Sequence, residues 1–169
     1  MIDAYELLVK ELGPTKVIRD EERLERFFVD GPRTDEAEVA GCLASGSFLV
    51  DDEDGRLAGC VYVARHGDRG YFGLLSVRPD RQGSGLGRRL VEAAEDRLRG
   101  EGFREIEILV VDLRRELFPF YERLGYREAG FEPFPPEPST RQPCRFVVMR
   151  KALASGSGDP TAGSGRASQ

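Results

Sequence analysis

The segment Gln82–Gly87 carries glycine at every second position. These glycines are Gly83, Gly85 and Gly87. Because glycine has no side chain, a ligand can lie directly against the main chain at these positions. The apolar, β-forming segment Tyr71–Val77 precedes the loop, and a helical pattern follows it. Strand, glycine turn and helix in this order bring unpaired amide groups and the positive end of a helix dipole to one point, so we predict a phosphate site.

Spacing excludes two of the common phosphate-binding loops. The loop of nucleotide triphosphatases ends in Gly-Lys-Ser/Thr, whereas this loop ends in Gly-Arg-Arg. A dinucleotide-binding loop requires a third glycine where Arg88 stands, and a strand that opens a βαβ unit near the start of the chain. Neither feature is present. Two interpretations of the glycine loop remain: it binds a different phosphate-bearing ligand, or it is a turn of purely structural purpose.

The loop resembles the acetyl-CoA signature of the GCN5-related N-acetyltransferases, the GNAT family. The signature Gln/Arg-x-x-Gly-x-Gly/Ala is met by Gln82, Gly85 and Gly87. The segment Leu75–Pro79 before the loop and the segment Phe120–Tyr126 after it resemble the family as well. The similarity extends over roughly residues 47–151 and points to an unassigned bacterial branch of the family.

This resemblance implies the GNAT fold and an acetyltransferase activity. The fold is an α+β fold with a mixed, mostly antiparallel central sheet flanked by helices, in which two central strands splay apart to admit acetyl-CoA. The pantetheine arm then binds the central strand as though it were an added strand. The implied reaction moves an acetyl group from acetyl-CoA, a cosubstrate, to a primary amine of a small molecule or peptide, without a metal. The implied acetyl-CoA-binding residues are Leu75, Val77, Gln82, Gly83, Ser84, Gly85, Leu86, Gly87 and Arg88.

Tyr121 matches the tyrosine whose hydroxyl, in this family, lies near the CoA sulfur and acts as a general acid. A phenol with an ordinary pKa of about 10 is protonated at neutral pH and can donate to a thiolate. The alternative is a core aromatic side chain at helical spacing beside Phe118 and Phe120. A non-catalytic acyl-CoA sensor or interaction module on the same fold is the alternative to an enzyme.

The sequence does not single out a general base. Family members with a carboxylate base often carry it on the central strand, where Tyr71 stands, and many carry Asn where Arg114 stands. Glu107 or Asp112 could act directly or through water, or could be solvated or structural. His66, the single histidine, falls in a predicted hairpin turn, which favours a solvated loop residue. An acceptor that arrives as the neutral amine would need no base.

Composition indicates one acidic globular domain. The chain has 169 residues, 40% of them hydrophobic, and a net charge of −5. We expect a single domain at 1–153, a disordered Gly/Ser-rich tail at 154–169, and no nucleic-acid or membrane partner. Three cysteines without metal-ligand spacing favour reduced thiols and a cytoplasmic location, for a monomer or homodimer. One basic cluster, matched to cofactor phosphates, consists of Arg78, Arg81, Arg88 and Arg89.

Periodicity and turn residues predict the elements that position these groups. Helices are predicted at 4–12, 20–29, 34–46, 86–100 and from 116 or 117 to 125. Strands are predicted at 15–19, 47–50, 56–65, 71–77, 105–111, 126–131 and 145–151. The helix after the glycine loop is expected to place Ala93 in the core and Glu95 on the solvated face, paired with Arg99. The proline-rich loop 132–144 is the candidate acceptor-site loop.

Overall fold

The computed structural model describes residues 36–135 and 143–154. The helices are α1 (Glu36–Ser45), α2 (Leu86–Gly100) and α3 (Phe118–Arg123). The strands are β1 (Gly46–Glu53), β2 (Arg56–His66), β3 (Arg69–Val77), β4 (Glu105–Val111), β5 (Arg127–Pro133) and β6 (Arg145–Ala152). The elements predicted at 4–12, 15–19 and 20–29, positions 136–142 of the candidate acceptor-site loop, and the tail from 155 onward lie outside the described residues.

The described strands form one six-stranded sheet in the order β1-β2-β3-β4-β6-β5. The first three strands are an antiparallel meander, as predicted, and β4 then pairs parallel to β3 after the α2 crossover. Strand β6 lies antiparallel between β4 and β5. The predicted mixed, mostly antiparallel sheet flanked by helices is confirmed.

Helix α2 packs on one face of this sheet. A Cβ atom added at Gly70 would stand 3.0 Å from Leu98 Cδ1, and Phe72, the next residue on that face, lies in the core. Side chains alternate along a strand, so Tyr71 points to the opposite face. There the Ser45 hydroxyl at the end of α1 lies 3.0 Å from the Tyr62 hydroxyl. We call the two sides the α2 face and the α1 face.

The buried side of α2 differs from the predicted one. Ala93 is exposed, whereas Val91 and Glu95 are buried. The Glu95 carboxylate accepts a hydrogen bond from the Tyr126 hydroxyl at 2.9 Å and lies 2.7 Å from Lys151 Nζ. The expected surface pair of Glu95 with Arg99 was therefore wrong. A carboxylate is ordinarily exposed, and its burial here depends on two partners that lie far away in sequence.

Two local boundaries also differ from the predictions. His66 pairs with Arg69, so Gly67 and Asp68 alone make the turn and His66 is the last residue of β2. The predicted five-residue turn was too long because a glycine with a φ of +62° at position 67 permits a tighter connection. Helix α3 begins at Phe118, after a 3-10 turn at Arg115–Leu117.

Replacing Glu95 with alanine is expected to lower the free energy of unfolding by about 3–5 kcal/mol, because it breaks a buried ion pair and leaves Tyr126 without its acceptor. Urea denaturation measures this change. Glu92→Ala is the matched control, since Glu92 is on the same helix in an exposed pair with Arg88 and should cost at most about 0.5 kcal/mol. Equal losses in the two variants would contradict the buried network.

Burial beside Glu95 raises the pKa of the Tyr126 hydroxyl above its usual value of about 10. The Tyr126 hydroxyl contributes fully to the free energy of unfolding below about pH 10, and this contribution is lost as the pH rises further. The reason is that the unfolded chain releases the hydroxyl proton at a lower pH than the folded chain does. Thermal unfolding of Tyr126→Phe between pH 8 and pH 11 should show a shallower alkaline decline than that of the wild type. Parallel declines would contradict this role of the hydroxyl.

Candidate functional site

The glycine loop has the geometry of an anion site. Gly83 and Gly85 have φ values of +76° and +83°, in the left-handed region. Gly85 is the N-cap of α2, which has no side-chain cap and no acidic residue in its first turn. The Arg89 amide donates the first helical hydrogen bond to the Gly85 carbonyl at 3.1 Å. The preceding amides, at positions 86–88, therefore lie at the positive end of the helix dipole without helical acceptors.

Two side chains of the loop, those of Ser84 and Leu86, are engaged elsewhere in the protein. Leu86 is buried in the core, so its main chain alone can contact a ligand. The Ser84 hydroxyl donates to the Arg81 carbonyl at 2.6 Å. The main-chain amide of Gln82 donates to the Pro79 carbonyl at 3.3 Å. These bonds fix the loop on the 3-10 turn that follows β3.

The loop, the end of β3 and helix α3 meet at one glycine. A Cβ atom added at Gly87 would lie 3.7 Å from Val77 Cγ2 and 3.8 Å from the Phe120 ring. Phe120 is adjacent to Tyr121. The predicted anion site is thus in direct packing contact with the element that carries the predicted acid.

The predicted basic cluster is compensated by carboxylates. Arg78 donates to Asp80 at 2.6 Å and Arg81 pairs with Glu53 at 2.5 Å. Arg88 donates to Glu92 at 2.7 Å, one turn along the helix. The remaining arginine, Arg89, lies 4.0 Å from Asp51. The predicted basic cluster is therefore not an unopposed positive patch, which leaves the uncapped amides of α2 as the main attraction for an anion.

Strands β3 and β4 part soon after they meet. They share two residue pairs, Gly70 with Ile106 and Tyr71 with Glu107. The β2–β3 pairing has a register irregularity on β3 at Leu74, whose φ is +48°. Such a bulge bends and twists its strand. The segment of β3 that contains Leu75 and Val77 consequently runs without a β4 partner toward the glycine loop.

Tyr121 lies on the α2 face beside the point where the strands part. Its ring centroid is 6.2 Å from that of Phe72, the first residue of β3 beyond the last β4 pair. Further ring contacts are with Phe120 at 5.0 Å and Tyr126 at 6.0 Å. The side chain is 8% exposed. Tyr121 is therefore a core aromatic, as one sequence interpretation predicted, and it also borders the strand gap.

The α1 face at the same point carries a carboxylate and an imidazole. Glu107 belongs to the last β3–β4 pair and is 4% exposed. Its Oε1 lies 2.9 Å from His66 Nδ1, and its Oε2 accepts from Arg150 Nε at 2.7 Å. The predicted loop position of His66 was wrong, because the residue ends strand β2. Its side chain is exposed, as predicted, and its ring lies 6.0 Å from the Tyr71 ring.

Two further sequence candidates have structural contacts. Asp112 accepts from the Arg145 amide at 3.3 Å and lies 3.5 Å from its guanidinium. Arg114, which stands where many GNAT members carry Asn, is buried, and its Nε donates to Glu116 at 2.5 Å. Both residues thus shape the turn between β4 and α3.

Comparison with known proteins defines the class of this fold and site. The structure of the ribosomal-protein-S18-alanine N-acetyltransferase from Escherichia coli superposes with a TM-score of 0.63 and 21% identity, over 86% of this chain and 92% of that one. An aminoglycoside 6'-N-acetyltransferase in complex with coenzyme A superposes with a TM-score of 0.61 and 18% identity, over 88% and 87% of the chains. The fold is therefore that of acetyltransferases.

A family model, the acetyltransferase (GNAT) family, matches residues 15–126. The chain belongs to this family. The mycothiol acetyltransferase of Clavibacter michiganensis subsp. michiganensis is 33% identical over 84 residues, which cover 50% of this chain and 28% of that protein. The family assignment and the predicted fold are confirmed. The matched segment spans well under half the length of that relative.

The described residues contain neither a membrane-spanning helix nor a cluster of metal-ligating side chains. No helix at 36–135 or 143–154 is long and apolar enough to span a bilayer. Within the same ranges, no three residues of the His, Cys, Asp and Glu types come together in a way that could hold a metal ion.

Replacing Gly85 with leucine should weaken acetyl-CoA binding roughly tenfold or more, because a side chain at the N-cap would stand where the anion must approach the amides. Isothermal titration calorimetry measures the affinity. Gly102→Leu is the matched control, because Gly102 also has a positive φ with open space around it, but beyond the opposite end of α2, about 22 Å away. Equal affinities in the two variants would count against the site.

Proposed function

We propose that the protein is an acetyl-CoA-dependent N-acetyltransferase that acetylates a primary amine of a small molecule or peptide. The gap between β3 and β4 carries this proposal. It runs from the uncapped amides of α2 to a closed end bordered by Tyr121 and Glu107. A pantetheine thioester has the shape that such a gap requires, with phosphates at one end and the reacting carbonyl at the other.

The residues assigned to acetyl-CoA act mainly through their main chain. Within the segment Gln82–Arg88, the amides at positions 86–88, which lack helical acceptors, would hold the pyrophosphate. Arg88 could leave its exposed pair with Glu92 to add charge. Main-chain groups at Leu75 and Val77 would bind the pantetheine arm by strand addition.

The proposed chemistry is direct attack by the amine on the thioester carbonyl. The N–C bond forms, the C–S bond breaks, and Tyr121 donates its hydroxyl proton to the departing sulfur. Tyr121 is buried and borders the closed end of the gap, which suits this donor role. The acetyl group leaves the cosubstrate once, and no covalent enzyme intermediate is needed.

The acceptor and the catalytic competence are tested together. Calorimetric titration with acetyl-CoA and then CoA comes first, followed by thiol release with a polyamine, an aminoglycoside, an amino acid and a peptide with a free N-terminus. Micromolar binding with release on one amine class is the expected result. Binding without release on any amine would favour the acyl-CoA sensor, and absence of binding would leave the glycine loop a structural turn.

We also propose a cytoplasmic location and a monomeric or homodimeric state. The three cysteines of the chain, Cys42, Cys60 and Cys144, form no disulfide with one another, which suits a reducing compartment. Strand β5 is an edge of the sheet, through which a second copy could pair.

Replacing Tyr121 with phenylalanine should lower kcat by about 100-fold or more, because the proton donor is lost while the ring packing is kept. Acetyl-CoA affinity should not change. Tyr126→Phe is the matched control, since it removes the neighbouring hydroxyl, which is bonded to Glu95 and not to the gap. Thiol release under saturating acetyl-CoA measures the difference. Unchanged turnover in Tyr121→Phe would remove its acid role.

A further inference from the structure

We propose that His66 is the general base of the acetyl transfer and that Glu107 is a positioning residue that orients its imidazole. The inference rests on the proposed N-acetyltransferase function and supplies the base that neither the sequence nor the family resemblance assigned. It depends on the geometry at the closed end of the strand gap, on the face opposite Tyr121.

The contact with Glu107 engages one ring nitrogen of the His66 imidazole and does not involve the other. Nδ1 lies 2.9 Å from the Glu107 carboxylate, which can only accept, so Nδ1 carries the proton of this hydrogen bond. In the neutral imidazole Nε2 then holds the lone pair that a base needs. The His66 side chain is 49% exposed, whereas that of Glu107 is 5% exposed. An acceptor amine can therefore reach the imidazole, while the carboxylate is shielded from it.

The charges around the imidazole hold this arrangement in place. Arg150 from β6 donates to the second Glu107 oxygen at 2.7 Å and compensates the buried carboxylate. Arg69, the pairing partner of His66 across the turn, is bound by Glu105 and lies 3.1 Å from Asp68. Tyr71 on β3 contributes its ring edge at 6.0 Å. Glu107 is thus held from both sides and can orient the imidazole without moving itself.

The position of the pair relative to the strand gap suits the reaction. Glu107 and Tyr71 form the last pair before β3 and β4 part. The Tyr71 side chain extends along β3 toward the bulge, because a Cβ atom added at Gly73 would collide with the Tyr71 hydroxyl. The α1 face thus carries His66 and Tyr71 up to the closed end, and the α2 face carries Tyr121. A base on the amine side and an acid on the sulfur side are what direct transfer requires.

The protons balance across the two faces. His66 Nε2 takes one proton from the substrate ammonium, and the neutral amine forms the N–C bond. Tyr121 protonates the sulfur as the C–S bond breaks, the second nitrogen proton restores Tyr121 through solvent, and His66 releases its proton to water. One ammonium and one acetyl-CoA give one acetamide, one CoA thiol and one proton.

The test is His66→Ala, assayed with the amine that the wild type acetylates. We expect kcat to fall about 100-fold or more, with an unchanged acetyl-CoA Kd and partial recovery when imidazole is added. The wild-type pH–rate profile should have an acidic limb, because a protonated imidazole cannot accept a proton, and the variant should lack this limb. Arg65→Ala is the matched control, since Arg65 precedes His66 on β2 but points to the α2 face beside Phe103.

The possible outcomes separate the inference from the proposed function. Retained kcat in His66→Ala would overturn the base role and leave the N-acetyltransferase intact. A loss of kcat that imidazole does not restore, with circular dichroism and Kd unchanged, would also overturn it, since it would indicate a structural role. Glu107→Gln should lower kcat with little change in KM. A wild type that fails to bind acetyl-CoA would overturn the proposed function and, with it, this inference.

Discussion

The parting of β3 and β4 after two residue pairs is the constraint on which the rest of the site depends. Main-chain amides and carbonyls inside a protein must find partners, and the β3 segment beyond Phe72 has none from β4. The left-handed conformation of Leu74 fixes this parting in the backbone itself. An extended ligand that presents amide groups can complete the interrupted ladder. In the proposed function, the strand gap would therefore select the cosubstrate by main-chain hydrogen bonding before any side chain acts.

The distribution of charge around the site explains how it can attract phosphates without a free basic surface. Each arginine of the expected basic cluster has a carboxylate partner, and the chain carries a net charge of −5. Attraction at close range then comes from the N-terminus of α2, whose field falls off within one turn. Selectivity follows from this arrangement, because an anion gains little until it reaches the glycine loop itself.

Sequence patterns predicted the parts of the structure that local chemistry determines. The glycine loop, the start of α2 and strand β4 depend on neighbouring residues, and each was placed within about one residue. The environments of His66 and Glu95 were not predicted. Their partners, Glu107 and Lys151, lie 41 and 56 residues away along the chain. A local pattern carries no information on such pairs, since they form only when β4 and β6 enter the sheet.

The insertion of β6 between β4 and β5 determines when during synthesis the cleft can exist. Strand β4 shares two residue pairs with β3 but seven with β6, which ends at Ala152. Until Arg145–Ala152 has left the ribosome, one wall of the cleft lacks its main support, and Glu107 lacks the Arg150 guanidinium. Helix α2 and the meander can form earlier from contacts closer in sequence. Formation of the cleft is thus coupled to the synthesis of β6, and a nascent chain with the glycine loop already exposed holds no finished site.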